Sequence, residues 1–455
     1  MSCSDNSRVD HLLDQLERNL KHDGMPIKEQ ETVLGELKIL GRNSASAGSI
    51  FSRRGIDVLA KYGFRRETKS TSHEALRCLA NAFLLSETTR QLFVDLEYST
   101  DAAERLKSND CNDEFLISRI IFLLTYNTSA DLDDMVNKHG LADSVNRHLT
   151  RHAERLTQDQ TASSSMKDMA LTETLKLLFN ITYYRPHTST NFTPSIEPII
   201  SLLVHHPTLS PPLQPPINYL LNALLNLDLS SAVMPDQDTN STPPSHTENV
   251  IDKLISIFDQ SIRSYPEREL DQLAAPLCTL IRRWYELTTS HQKSNIRSAL
   301  LPQTQDRDKP LGQGDSLSAR LLRLSIAPGL PTLRENISCL LFELSDKDAD
   351  KLIKNIGYGF ASGFLMSHNI PVLASKDGTL QGDDDGVEIN PVTGQRIAEE
   401  TMDQPDSPEM SQEEKEREAE RLFVLFERLR ATGVVDVQNP VQKAVEEGRF
   451  EELPD

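Results

Sequence analysis

The eight residues Leu175-Lys176-Leu177-Leu178-Phe179-Asn180-Ile181-Thr182 are one variant of a helical theme that runs through this chain. Other variants occupy residues 74–81, 117–124, 219–226, 277–284 and 336–342. They recur roughly every 45 to 60 residues, the span of an armadillo or HEAT unit with loop insertions. In each, apolar residues are too dense for a helix with a solvated face. Each therefore reads as the inner helix of a repeat, packed on its neighbours. A chain that repeats itself in this way stacks into a solenoid, which offers a partner a long groove rather than a catalytic pocket. The expected fold class is all-α, an armadillo/HEAT-like helical-repeat superhelix.

A chain of 455 residues could form two or three ordinary domains, or one long repeat domain with a tail. The repeats favour the second. The apolar share of 38% is low for a compact globule and suits a high-surface solenoid. A formal charge of −20 argues against nucleic acid or an anionic membrane as partner, since both require clustered Lys and Arg. Cys3, Cys78, Cys111, Cys278 and Cys339 are scattered, with no C-x-x-C pair, which predicts a reduced, cytosolic protein. Val9, Leu12, Leu13, Leu16 and Leu20 make the N-terminus amphipathic rather than a signal core, and no apolar run is long enough to span a bilayer. The expectation is a cytoplasmic monomer without cofactors or stable membrane insertion.

Helices begin at residues 7–23 and 28–40 and continue, separated by polar turns, to about Met366. The stretches 236–248 and 302–315 read as surface loops. The solenoid is placed at residues 1–370. Residues 371–410, rich in Gly, Asp, Pro, Ser and Glu, bury too little apolar surface to offset ordering entropy and are expected to form a flexible acidic linker. Ser411-Gln412-Glu413-Glu414 is a capping box that opens a C-terminal amphipathic helix over 411–432, followed by a tail over 433–455. Its apolar face holds Leu422, Phe423, Leu425, Phe426 and Leu429, which require a partner surface, either a guest or the solenoid itself.

A search for covalent chemistry finds no Walker loop, no Gly-x-Ser-x-Gly and no framed Cys nucleophile. Gly357-Tyr358-Gly359 lacks the spacing and the preceding strand of a dinucleotide fingerprint, and reads as a helix end with a tight turn. His148 and His152, four apart, lack the further ligands that zinc needs and read as a solvated pair. A binding surface remains. Polar residues of inner helices line the concave face of such a stack, and the candidates are Lys38, Arg42, Arg77, Asn81, Arg119, Asn180, Asn222 and Asn226. Each Asn either bridges to the next repeat or bonds the backbone of a guest, with bridging the first reading for any one of them. With the cations they form a polar, mildly basic groove that suits a helix ending in a free carboxylate.

Leu37-Lys38-Ile39-Leu40-Gly41-Arg42, Glu74-Ala75-Leu76-Arg77-Cys78-Leu79 and Glu173 to Thr182 resemble blocks of the synembryn family, cytosolic chaperones and exchange factors for heterotrimeric G-protein α subunits. The resemblance is sharpest in Leu352-Ile353-Lys354-Asn355-Ile356-Gly357-Tyr358-Gly359, and resumes in Ile389-Asn390-Pro391-Val392-Thr393-Gly394 and in the helix after Ser411. It implies a superhelix that grips the C-terminal helix of a Gα subunit, lets GDP leave and holds the nucleotide-free form. By position it places Lys38 and Arg42 at the groove mouth. Lys351, Lys354 and Tyr358 fall at a further Gα contact. Leu422, Phe423 and Phe426 lie on a helix that reaches the Gα nucleotide-binding domain. The acidic run Asp383 to Asp385 departs from animal members in having no Ser or Thr embedded in it. The alternative is a general armadillo-type adaptor for another extended peptide.

Overall fold

The computed structural model describes residues 2–43, 48–65, 68–158, 165–230, 246–371, 380–381 and 388–397. The repeated theme forms one continuous inner layer. The helix Ile27–Leu40 packs on Lys69–Leu85, and Lys69–Leu85 on Cys111–Leu124. The layer continues through Ser165–Tyr184, Ile217–Leu225 and Glu267–Leu287 to Pro331–Leu344. Every segment read from the sequence as an inner helix lies on one of these. Their density of Leu, Ile and Ala explains the arrangement: Lys69–Leu85 buries Ala75, Leu76, Cys78, Leu79, Ala80, Ala82 and Phe83, so only a narrow strip is left for solvent. An outer layer that includes Ser2–His22, Arg53–Arg65, Ser99–Arg105, Leu141–Gln158, Ile196–His205 and His246–Ser264 covers the other side. The molecule is an all-α helical-repeat superhelix, and among the described residues its only strands are the two-residue pair Leu380–Gln381 and Glu388–Ile389.

Local chemistry sets the helix ends. Asp110 caps Cys111–Leu124 by accepting from the backbone N–H groups of Asn112 and Asp113, and Asp348 caps Ala349–Ile356 by accepting from Lys351. Cys78 and Cys278 sit buried on inner helices as small apolar groups, and burial pushes the Cys78 thiol up to about 12.

His148 and His152 differ from their sequence reading. They are buried, not solvated, and face the carboxylate of Glu114. Glu114 itself lies wholly out of solvent between the layers. Its Oε1 accepts from His152 Nε2 at 2.8 Å and from Thr174 Oγ1 at 3.0 Å, and its Oε2 accepts from Arg151. His148 Nε2 donates to the carbonyl of Leu106 at 2.8 Å. Burial raises the Glu114 pKa, but the bond from His152 and the nearby positive charges outweigh it and hold the carboxyl down at about 2. Burial also lowers the pKa of His148. A parallel cluster joins His73 and Arg105 on Asp113, with the His73 Nε2 contact at 3.0 Å and the Arg105 Nη2 bond at 2.8 Å.

The segment expected to be a flexible linker contains a docked strap. Asn390 Oδ1 accepts from the N–H groups of Val392 and Thr393, which curls the chain into a turn. Tyr358 N donates to Pro391 O at 2.8 Å, Gly359 N to Val392 O at 3.1 Å and Leu311 N to Thr393 O at 3.1 Å. Arg307 reaches the carbonyls of Gly394, Lys354 and Asn355. Gly357 has φ +77°, and a Cβ there would sit 2.8 Å from Val392 O, so only glycine suits the position. Backbone bonding, with Ile389 and Gln395 buried beside it, holds this largely polar segment in place. The loop over 302–315 is its platform rather than a free surface loop.

Candidate functional site: the concave face

Residues three and four apart on each inner helix repeat along one strip and form the outward surface of the inner layer, the concave side in a stack of this kind. On Cys111–Leu124 the strip runs Asn112, Phe115, Arg119, Phe122; on Ser165–Tyr184 it includes Thr172, Glu173, Lys176 and Tyr183. On Glu267–Leu287 it runs Thr279, Arg282, Glu286, and on Pro331–Leu344 Asn336, Cys339, Glu343.

The predicted cations on this strip are paired with carboxylates. Lys38 Nζ lies 2.5 Å from Glu74 Oε2, and Arg77 donates to Glu74 Oε1 at 2.7 Å and to Asn112 Oδ1 at 3.3 Å. Glu74 thus brings Lys38 and Arg77 together across two inner helices and hands the chain of contacts to a third. Arg119 Nη1 lies 3.7 Å from Glu173 Oε1, which also accepts from Lys176 Nζ at 2.9 Å. The Lys176 ammonium sits 5.0 Å from the Phe122 ring centroid and 5.7 Å from that of Tyr219. Farther along, Arg282 clamps Glu343, with Nη2 to Oε1 at 2.6 Å, and donates to Asn336 at 3.0 Å. The face is therefore a ladder of alternating charge interleaved with rings, rather than a basic groove.

The asparagines divide. Asn180 donates to Thr125 Oγ1 at 2.8 Å and Asn226 to Phe179 O at 3.2 Å, so both bridge adjacent inner helices. Asn81 and Asn222 are half-buried on the concave strip. Arg42 is exposed just past the end of Ile27–Leu40. At the distal end Lys351 pairs with Asp346 at 2.7 Å, Lys354 lends its carbonyl to Arg307, and Tyr358 is exposed beside the strap. Leu422, Phe423 and Phe426 lie outside the described residues.

Glu74, Glu173, Lys176, Phe122, Tyr219, Arg282 and Glu343 were not singled out from the sequence. One signal was available: Glu74/Arg77 and Glu173/Lys176 are i,i+3 acid–base pairs on otherwise apolar helices. Glu173 stands out, because its Oε2 is buried and has no hydrogen-bond partner among the described residues. It lines a cleft of ≈ 590 Å³ with Phe115, Arg119, Met169 and Thr172. A buried carboxylate oxygen without a donor is costly.

A family model described as guanine nucleotide exchange factor synembryn matches residues 33–449. Chaperone Ric-8A of Rattus norvegicus is 24% identical over 447 residues, covering 89% of this chain and 82% of that protein. A synembryn-like chaperone of Schizosaccharomyces pombe is 35% identical over 169 residues, 34% of this chain and 32% of that protein. An engineered protein of known structure aligns with a TM-score of 0.41 at 17% identity, covering 61% of this chain and 97% of that one. Since the family match begins in the first inner helix and extends past the docked strap, it spans nearly all of the architecture described above, and the chain belongs to the synembryn family of guanine nucleotide exchange factors.

Proposed function

We infer that this chain is a chaperone and exchange factor for G-protein α subunits, and that its concave face takes the Gα C-terminal helix. The ladder through Arg119, Glu173 and Lys176 carries this reading, because it joins a half-satisfied carboxylate in the wall of a cleft to two cations and two rings. An amphipathic helix would lay its apolar side on Phe122 and Tyr219 and give a donor to Glu173 Oε2. Its terminal carboxylate would run toward Lys38 and Arg42 at the mouth.

No covalent step is required. Exchange follows if the face binds Gα with its C-terminal helix withdrawn better than it binds the GDP-bound form; each ~1.4 kcal/mol of preference shifts the ratio tenfold. The same grip would hold a nascent Gα while it folds. The protein would act in the cytoplasm and reach the membrane through Gα.

GDP release from purified Gα, intact and lacking its last residues, tests the reading. Acceleration and a stable complex are expected only with intact Gα. No acceleration and no complex would overturn it. Arg42→Glu, at an exposed position, should weaken the complex without unfolding the chain. Lys38→Glu should do so as well, with an added stability loss, since it sets a second carboxylate against Glu74. Unchanged affinity in both folded variants would remove these residues from the site.

A further inference from the structure

At the far end of the concave face, Glu335 and Cys339 stand one turn apart on Pro331–Leu344, and His368 follows the last helix among the described residues, Tyr358–Ser367. The carboxylate oxygen, the thiol sulfur and a ring nitrogen all lie within 4.8 Å of one another. Glu335 Oε1 is 3.0 Å from His368 Nε2 and 3.5 Å from Cys339 Sγ. Tetrahedral zinc, with bonds of about 2.0–2.3 Å, sets its ligand atoms about 3.3–3.6 Å apart. The two edges to the carboxylate need only a few tenths of an ångström of movement, and the thiol–imidazole edge, within 4.8 Å, closes by motion of side chains that reach solvent.

The histidine is already oriented for such a role. Its Nδ1 lies 3.0 Å from the Phe364 carbonyl and 3.1 Å from Ser367 Oγ, and in the tautomer that metal binding at Nε2 requires, Nδ1–H donates to that carbonyl. The Phe364 ring packs against the imidazole with centroids 4.2 Å apart and limits its rotation. This leaves the Nε2 lone pair aimed at a carboxylate oxygen. Two acceptors 3.0 Å apart call for a cation between them, either a proton or a metal ion. A backbone carbonyl holding the remote nitrogen is the usual support of a metal-bound histidine. The thiol as a third donor goes beyond what an ion pair requires, and thiolate, imidazole and carboxylate are the donor set of zinc.

We propose that Glu335, Cys339 and His368 form a zinc-class metal site that ties the helix Tyr358–Ser367 to the inner helix Pro331–Leu344. The fourth position opens to solvent, where water or a donor from a bound partner completes the tetrahedron. Binding releases the thiol proton to solvent as the S–Zn bond forms. Affinity should therefore climb with pH. Cys339 shares its helix face with Asn336 and Glu343, which Arg282 holds, so metal binding would stiffen this end of the ladder.

The test uses the full chain with cobalt(II) as a spectroscopic probe and zinc(II) as competitor. One equivalent of cobalt should give a thiolate-to-metal charge-transfer band that zinc abolishes. Zinc should also shield Cys339 from alkylation, read by peptide mass spectrometry. His368→Ala and Cys339→Ala should each lower affinity by more than about 100-fold, the upper range for loss of a supporting residue. Glu335→Gln should lower it less, and Cys111→Ser should leave it unchanged. Absence of the band, or a band and shielding that survive His368→Ala, would overturn the proposal and leave an ordinary Glu335–His368 ion pair.

Discussion

Glu114 and Glu173 are both carboxylates on neighbouring inner helices, and they show two opposite uses of a charge in one scaffold. Glu114 points between the layers, and both of its oxygens are bonded, by His152, Thr174 and Arg151. Glu173 points to the concave face, where one oxygen serves Lys176 and Arg119 and the other has no donor. A saturated buried carboxylate is finished as structure; it pins an outer helix to an inner one. An unsaturated one at the edge of a cleft has capacity left for a guest. The difference teaches where in a solenoid function can reside: in the charges that the fold leaves incompletely satisfied.

The largest effect is expected on removing Glu114. Glu114→Ala leaves Arg151 and His152 facing a buried void without their counter-charge. The expected loss is about 3–5 kcal/mol, measured as the shift in urea unfolding of the full chain. A loss below about 1 kcal/mol would mean that the cluster does not pin the layers.

Acid should separate the groups next. His148 has its pKa lowered by burial, so the folded form resists a proton that the unfolded chain takes up. Its contribution is complete above the unfolded value near 6.5 and is lost as pH falls below it. The carboxyls of Asp113 and Glu114 are also depressed, despite burial, by their hydrogen-bonded partners. Their contribution is complete above about pH 4.5 and is lost as pH falls toward about 2. Stability should therefore decline in two stages, the first below pH 6.5 and the steeper below pH 4.5. Replacing His148 by Gln should erase the first stage alone, and a single-stage profile in the native chain would contradict the assignment.

The sequence carried the inner layer because buried helices need apolar residues on nearly every side, and that density is visible in one dimension. It could also have placed His148 and His152. With Leu141, Val145 and Leu149 they fall at i, i+4, i+7, i+8 and i+11, the buried stripe of a helix, but two histidines were read by their polarity instead of their position. The strap over 388–397 was harder to see. Its composition is that of a linker, and backbone N–H and C=O groups, which every residue has, hold it in place. The cross-helix ladder was harder still, since Lys38–Glu74 and Arg282–Glu343 join residues 36 and 61 apart. The Glu335–Cys339–His368 cluster shows the same limit: only folding brings its third member to the other two.

Where the strap docks, Gly357→Ala should cost about 1–3 kcal/mol, the strain of an L residue at positive φ added to the clash with Val392 O. Proteolysis near residue 390 should accelerate in the variant, because the Tyr358 and Gly359 bonds to Pro391 and Val392 are among those that hold the strap.

The smallest expected stability effect decides the comparison most sharply. Glu173→Ala removes a carboxylate whose partners, Arg119 and Lys176, reach solvent and can be rehydrated, so the loss should stay within about 1 kcal/mol. Its effect on a Gα C-terminal peptide should be larger than its effect on the fold. A charge-assisted hydrogen bond from the guest to Oε2 is worth about 1.5–3 kcal/mol, or roughly tenfold or more in affinity. Thr174→Val, one residue along on the same helix, should behave in the opposite way. It costs about 1 kcal/mol of stability by removing a donor from Glu114 and leaves peptide affinity unchanged. Adjacent positions would then report on separate faces of one helix. If Glu173→Ala destabilised the chain as Glu114→Ala does, or left peptide binding intact, its unbonded oxygen would be a tolerated defect of packing and not the point at which a guest completes the structure.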